Sequence, residues 1–215
     1  MRRRTAIFGL CGHSSAVFAL QQSLKIESFS MSSASRKLDK TLVLVGLMGC
    51  GKSSVGRRLA NALGVGFVDT DDEIVAAAGM SIPEIFERFG EPGFRDGEAK
   101  VISRLLSEPP RVMATGGGAF MSPLVRAEVA RVGTSVWLRA DLETLWGRVA
   151  GKPGRPLLDQ DNPKQVLADL MAARYPVYGT ADIIVDTRAD NSHEVVVKDI
   201  LQKLGAYSGK IGEDS

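Results

Sequence analysis

Residues 46–53 read Gly-Leu-Met-Gly-Cys-Gly-Lys-Ser, a complete G-x-x-x-x-G-K-[ST] stretch, and nothing else in the chain restricts the fold as sharply. The glycines let the backbone wrap until several N–H groups point at one anion. The helix that such a loop opens favours negative charge at its start. Lys52 has the reach for β- and γ-phosphates, and Ser53 offers a hydroxyl to Mg²⁺. The motif needs a strand before it and a helix after it, and the flanking sequence supplies both. Thr41–Val45 is a β-branched and leucine run. From Lys52 to Leu63, Val55, Leu59 and Leu63 fall on one helical face. GTPases, ATPases and small-molecule kinases share this loop. The absence of a guanine-reading Asn-Lys-x-Asp argues against the first of these.

The rest of the chain alternates strands and helices. Strands are expected at 66–69, 111–115, 134–139 and 182–186, and helices at 72–78, from Ser81, at 98–106, 122–131, 142–149, 162–175 and 192–204. Ser81, Pro83 and Glu84 have the spacing of a capping box with proline in the first turn. Near-uniformly apolar strands between helices imply a three-layer α/β fold of the P-loop NTPase/kinase type: a five-stranded parallel sheet with helices on both faces. Crossovers should be right-handed, with ligands at the carboxyl ends of the strands, where Gly46, Asp69 and Thr115 fall. Residues 151–161 are rich in Gly, Pro and charge without periodicity, so a mobile lid is expected over about 150–162, with Gly151 and Gly154 as hinges.

Charge is unevenly distributed. Residues 1–40 hold seven of the 27 basic residues and two of the 25 acidic ones; the remaining 20 and 23 leave residues 41–215 at a net −3. A nucleic-acid partner is therefore not expected, and the arginines of the folded part need local tasks. No run approaches the ~18 apolar residues of a membrane span. Arg2–Arg4 ahead of two short apolar runs has a faint likeness to a targeting peptide; the preferred reading makes Met31 the true start and 1–40 a flexible extension. Residues 41–207 are expected to form the domain and 208–215 a flexible tail. The two cysteines, Cys11 and Cys50, read as thiols of a reducing, cytoplasmic compartment, because a disulfide to Cys50 would block the phosphate loop. His13 and His193 are isolated and read as surface residues.

Several segments could form the second half of a site. Val68-Asp69-Thr70-Asp71-Asp72 closes the second strand. In extended chain Asp69 and Asp71 would project together, to hold Mg²⁺, accept a hydroxyl proton or grip substrate hydroxyls. The alternative for one of them is a helix N-cap. Arg95, in a turn framed by Gly93 and Pro92, either clasps an anion or pairs with Glu91. Gly116–Gly118 bring backbone close to a ligand or make a flexible loop. Arg155 sits in the expected lid, where an arginine can neutralise charge and exclude water on closure. Arg174 lies near the end of the following helix.

Together these segments resemble the shikimate kinase family over about 41–204. The resemblance rests on 46–54 with Gly56-Arg57, Phe67–Asp71, Gly93-Phe94-Arg95, Ala114–Gly118 and Arg155-Pro156-Leu157-Leu158, in that order. It implies phosphoryl transfer from ATP to the 3-hydroxyl of shikimate, on the way to chorismate and the aromatic amino acids, by a monomer working with Mg²⁺. Gly49, Cys50, Gly51, Lys52, Ser53 and Ser54 would surround ATP, with Arg148 beside the adenine and Arg155 brought by the lid onto the phosphates. Ser53 and Asp69 would hold Mg²⁺, Asp69 lying near the attacking hydroxyl. Lys52, Asp69 and Arg155 would be catalytic. Asp71 would bind substrate hydroxyls, Arg95 and Arg174 the carboxylate, and Gly117 with Gly116 and Gly118 would contact substrate through backbone. Ser54 stands where the family often has Thr, Cys50 occupies a variable loop position, and residues 1–40 have no counterpart. The alternatives are a kinase for another polyol acid such as gluconate, a non-catalytic nucleotide-binding regulator on the same fold, and, from Arg2–Arg4, a surface-anchored or exported interaction protein.

Overall fold

The computed structural model describes residues 38–152, 158 and 161–213, all within the compact unit Ser35–Ser215. Arg155, Gly154, most of the expected lid, Met31 and Cys11 lie outside the described residues.

The elements follow as β1 (Thr41–Val45), α1 (Lys52–Leu63), β2 (Phe67–Asp69), α2 (Thr70–Ala78), α3 (Ile82–Leu106), β3 (Val112–Ala114), a 3-10 turn (Ala119–Met121), α4 (Pro123–Val132), β4 (Gly133–Arg139), α5 (Leu142–Val149), α6 (Pro163–Tyr178), β5 (Ile183–Asp186) and α7 (His193–Glu213). Five strands pair in the order β2-β3-β1-β4-β5, all parallel. Every residue of β1 is buried. A central strand covered on both faces needs that uniform apolar run rather than an alternating one.

The order places β1 at the switch point: the chain leaves it towards β3 and β2 on one side and returns to β4 and β5 on the other. The crevice at a switch point is where doubly wound sheets bind ligands. Register aligns the strand ends there, with Asp69 opposite Ala114 and Leu44 opposite Ala114 from the other side. The loops after β1, β2 and β3 therefore emerge together.

Three local expectations are corrected. α2 begins at Thr70, so Asp71 lies in the first helical turn and not in extended chain. The segment after Ser81 does form the expected capping box, but its helix runs on to Leu106 with one break, at Gly90 (φ 67°, ψ 179°). The second half starts at Glu91, with Pro92 in its first turn, where a missing N–H is harmless. Arg95 is thus helical rather than in a turn. α7 extends to Glu213, beyond the Leu204 at which the apolar pattern fades. Among the described residues, no helix is long and apolar enough to cross a membrane.

Candidate active site

The phosphate loop joins β1 to α1. Gly49 and Gly51 adopt φ of +82° and +98°, a region that side chains avoid. A Cβ on Gly49 would also stand 2.7 Å from Val149 Cγ1. Lys52 Nζ folds over the loop and donates to Gly46 O (2.8 Å) and Leu47 O (3.1 Å). Cys50 is buried against the same turn, its Sγ 3.7 Å from Lys52 Nζ. Arg148, near the end of α5, donates to Gly49 O (3.3 Å) and Arg188 O (2.7 Å), tying the loop to the segment after β5.

Asp69 serves both readings offered by the sequence. As the N-cap of α2 it accepts from Asp71 N (3.2 Å) through Oδ1. Its Oδ2 accepts from Ser53 Oγ (2.7 Å), across from the start of α1. A hydroxyl and a carboxylate side by side are the hard oxygen donors Mg²⁺ takes, and Mg²⁺ beside phosphates uses few protein ligands. Among the described residues no group of three or more His, Cys, Asp or Glu side chains could hold a metal ion. Ser53 Oγ and Asp69 Oδ2 are two donors of that kind, and phosphate and water would supply the rest of a shell.

The second wall is built around Gly116–Gly118. A Cβ on Gly116 would lie 2.9 Å from Glu98 Oε1 and 3.0 Å from Asp71 Oδ1; one on Gly117 would lie 3.5 Å from Arg174 Nη1; one on Gly118 would collide with the Arg95 guanidinium. Four charged side chains from three helices stand around this turn. The turn is also anchored from below, since Gly116 N donates to Thr70 Oγ1 (3.1 Å) and Thr115 Oγ1 to Leu44 O (3.0 Å). Arg174 Nη1 and the Tyr178 hydroxyl both donate to Gly117 O.

Arg95 pairs with Glu91, as one reading of the sequence has it, and also with Glu98. Its Nε and Nη2 meet the exposed Glu91 Oε1 (3.3 and 3.2 Å), and its Nη1 meets Glu98 Oε2 (2.7 Å). The two partners are unequal. Glu91 is solvent-exposed, where an ion pair contributes little. Glu98 is 2% exposed, and its Oε1 has no hydrogen-bond partner among the described residues. Burial raises the Glu98 carboxyl above the usual range, against the pull of Arg95. Burial likewise raises Asp71, and the charge of Asp69 adds to it.

These walls enclose one cavity of about 730 Å³ that Lys52, Ser53, Asp69, Asp71, Arg95, Gly116–Gly118, Arg148 and Arg174 all line. Every expected site residue within the described set reaches it, Gly49, Cys50, Gly51 and Ser54 included. Sequence reasoning missed Glu98, read only as the start of a helix, and Tyr178. A helix begun at Glu91 would have exposed the Arg95–Glu98 pairing by its three-residue spacing. Thr187, Asn191 and His193 also line the cavity, so His193, although exposed, stands at its rim.

Comparison with known proteins agrees with this geometry. The family model described as shikimate kinase matches residues 48–205. A shikimate kinase of Paramagnetospirillum magneticum is 54% identical over 173 residues, 80% of this chain and 88% of that protein. The solved shikimate kinase from Acinetobacter baumannii in complex with shikimate superposes with a TM-score of 0.74 at 38% identity, covering 79% of this chain and 95% of that one. A gluconokinase from Sinorhizobium meliloti, at 18% identity and TM-score 0.56, shares the fold alone. The chain belongs to the shikimate kinase family.

Proposed function

We propose that this kinase moves the terminal phosphoryl group of ATP onto the 3-hydroxyl of shikimate, yielding ADP and shikimate 3-phosphate in the cytoplasm, on the route to chorismate and the aromatic amino acids. The observation that carries the assignment is the pairing within one cavity of a complete phosphate loop with an opposing wall of two arginines, a buried carboxylate and exposed backbone. Arginine's planar fork matches a carboxylate, and Asp71 beside it matches vicinal hydroxyls. Both walls come from one chain, which supports action as a monomer.

Phosphoryl transfer asks the protein mainly for position and charge. Lys52 exchanges its loop carbonyls for β- and γ-phosphate oxygens. Asp69 orients the attacking hydroxyl or takes its proton, a role supported by its bonds from Ser53 Oγ and Asp71 N. Arg95 and Arg174 grip the carboxylate, Asp71 the hydroxyls, and Arg148 borders the adenine. Arg155 contributes a further positive charge to the phosphates. Ser53 and Asp69 would hold Mg²⁺, whose charge would offset that of the phosphates.

A coupled ADP-release assay with shikimate, with gluconate and with no acceptor tests the assignment. Release only with shikimate is expected. Release without acceptor would mean an ATPase or regulator, and gluconate dependence would move the chain to the neighbouring specificity.

A further inference from the structure

The triple-glycine turn has no side chain to hold its peptide planes, yet one of them is gripped from outside. Gly117 O accepts from Arg174 Nη1 at 2.9 Å and also from the Tyr178 hydroxyl. Both donors come from α6, four residues apart, so one face of that helix carries them together. Two donors use both lone pairs of the carbonyl. The Gly117 carbonyl is thereby pinned towards α6. Because the peptide bond is planar and trans, pinning it also sets the direction of the Gly118 N–H, which donates to no other described residue. Gly118 is the residue whose Cα the Arg95 guanidinium packs against.

Tyr178 is fully buried, with its ring 5.9 Å from that of Trp137 by centroids. Packing explains an aromatic ring at this position but not a hydroxyl, since phenylalanine would fill the same space. The hydroxyl reaches the acceptor wall and nothing else among the described residues. Burial pushes it up to about 12, so it remains a proton donor at any ordinary pH. The turn it holds sits between the two halves of the cavity: a Cβ on Gly117 would be 3.6 Å from Gly46 O and 3.9 Å from Met48 N.

We propose that Tyr178 is a positioning residue for the acceptor half of the site, its hydroxyl fixing the Gly117 peptide and, through the shared carbonyl, the Arg174 guanidinium. The inference rests on the shikimate kinase reading. Without the hydroxyl, Arg174 alone holds the carbonyl, and both the turn and the guanidinium gain freedom that substrate binding must then remove.

Tyr178→Phe, compared with the unaltered chain by steady-state kinetics and thermal unfolding, tests it. A rise of roughly tenfold or more in the KM for shikimate is expected, the loss typical of one hydrogen bond to a charged network. The KM for ATP should change less than twofold and Tm by no more than a few degrees. In a double-mutant cycle with Arg174→Lys the two effects should combine to less than their product, because both act on one carbonyl. An unchanged KM for shikimate overturns the proposal. So does a parallel rise in both KM values with a large loss of Tm, or failure of Tyr178→Phe to fold, since each makes the residue a core element only. Absence of shikimate-dependent ADP release from the unaltered chain would instead defeat the functional reading beneath it.

Discussion

Glycine serves both halves of this site, for opposite reasons. In the phosphate loop the backbone demands it: Gly49 and Gly51 hold positive φ, and alanine would be strained there whatever its neighbours. In the acceptor turn the backbone does not: Gly118 sits at φ −97°, which any residue adopts. What favours glycine there is the close approach of side-chain ends, Glu98 and Asp71 at Gly116 and Arg95 at Gly118, which a Cβ would displace. The first half is a local conformation written in eight consecutive residues. The second is an assembly of side chains from α2, α3 and α6 around a plain turn. The two halves should therefore fail in different ways when altered.

Lys52→Ala should show the largest effect, a fall in kcat of about 10²–10³-fold with the KM for shikimate nearly constant, as expected when a charge-stabilising group is removed from the transition state. Near-normal turnover would break the division between the halves. Arg95→Lys should do the reverse, raising the KM for shikimate by about 10–100-fold, the weight of a charge-assisted bond, with the KM for ATP held. Lysine is the cleaner substitution because alanine would strand the buried Glu98 carboxylate.

The glycines sharpen the contrast further. Gly49→Ala should destabilise the protein by about 1–3 kcal/mol through strain alone, measured by thermal unfolding, and weaken ATP. Gly118→Ala should raise the KM for shikimate about fivefold to tenfold by displacing Arg95, with ATP little affected. Equal loss of both substrates in both variants would erase the distinction.

The smallest effect concerns pH. Burial, and then Asp69, hold the Asp71 carboxyl above its usual range, so the folded chain binds this proton more tightly than the unfolded one. Its contribution to stability is present below the unfolded value of about 3.9 and is lost as pH rises through the folded value. Asp71→Asn should remove that loss, raising Tm at pH 7 by about 2–4 °C and flattening its acid-side slope, while binding of shikimate fails. An unchanged slope would show that Lys52 and Arg95 already offset the buried charge.

The same contrast explains what the sequence disclosed. The phosphate loop and the alternation of strands and helices were legible because a contiguous motif and uniform apolar runs are local signals. Asp69 and Asp71 were placed correctly in one cavity for a faulty reason: extended chain was assumed, whereas α2 starts at Thr70 and Asp69 caps it. Arg95 stood out by its Gly/Pro frame, but its role at the carboxylate came only through family resemblance, because the break at Gly90 hid the helix that aligns it with Glu98. Tyr178 carried no signal at all, since its partner Gly117 lies 61 residues away in the chain.

The central claim is that the two halves meet around one transferred phosphoryl group. Phosphorus-31 NMR of the reaction of ATP with shikimate tests it most directly. The account predicts one new phosphomonoester per ADP formed, coupled to the proton on carbon 3. Inorganic phosphate in its place, or an ester on another hydroxyl, would contradict it.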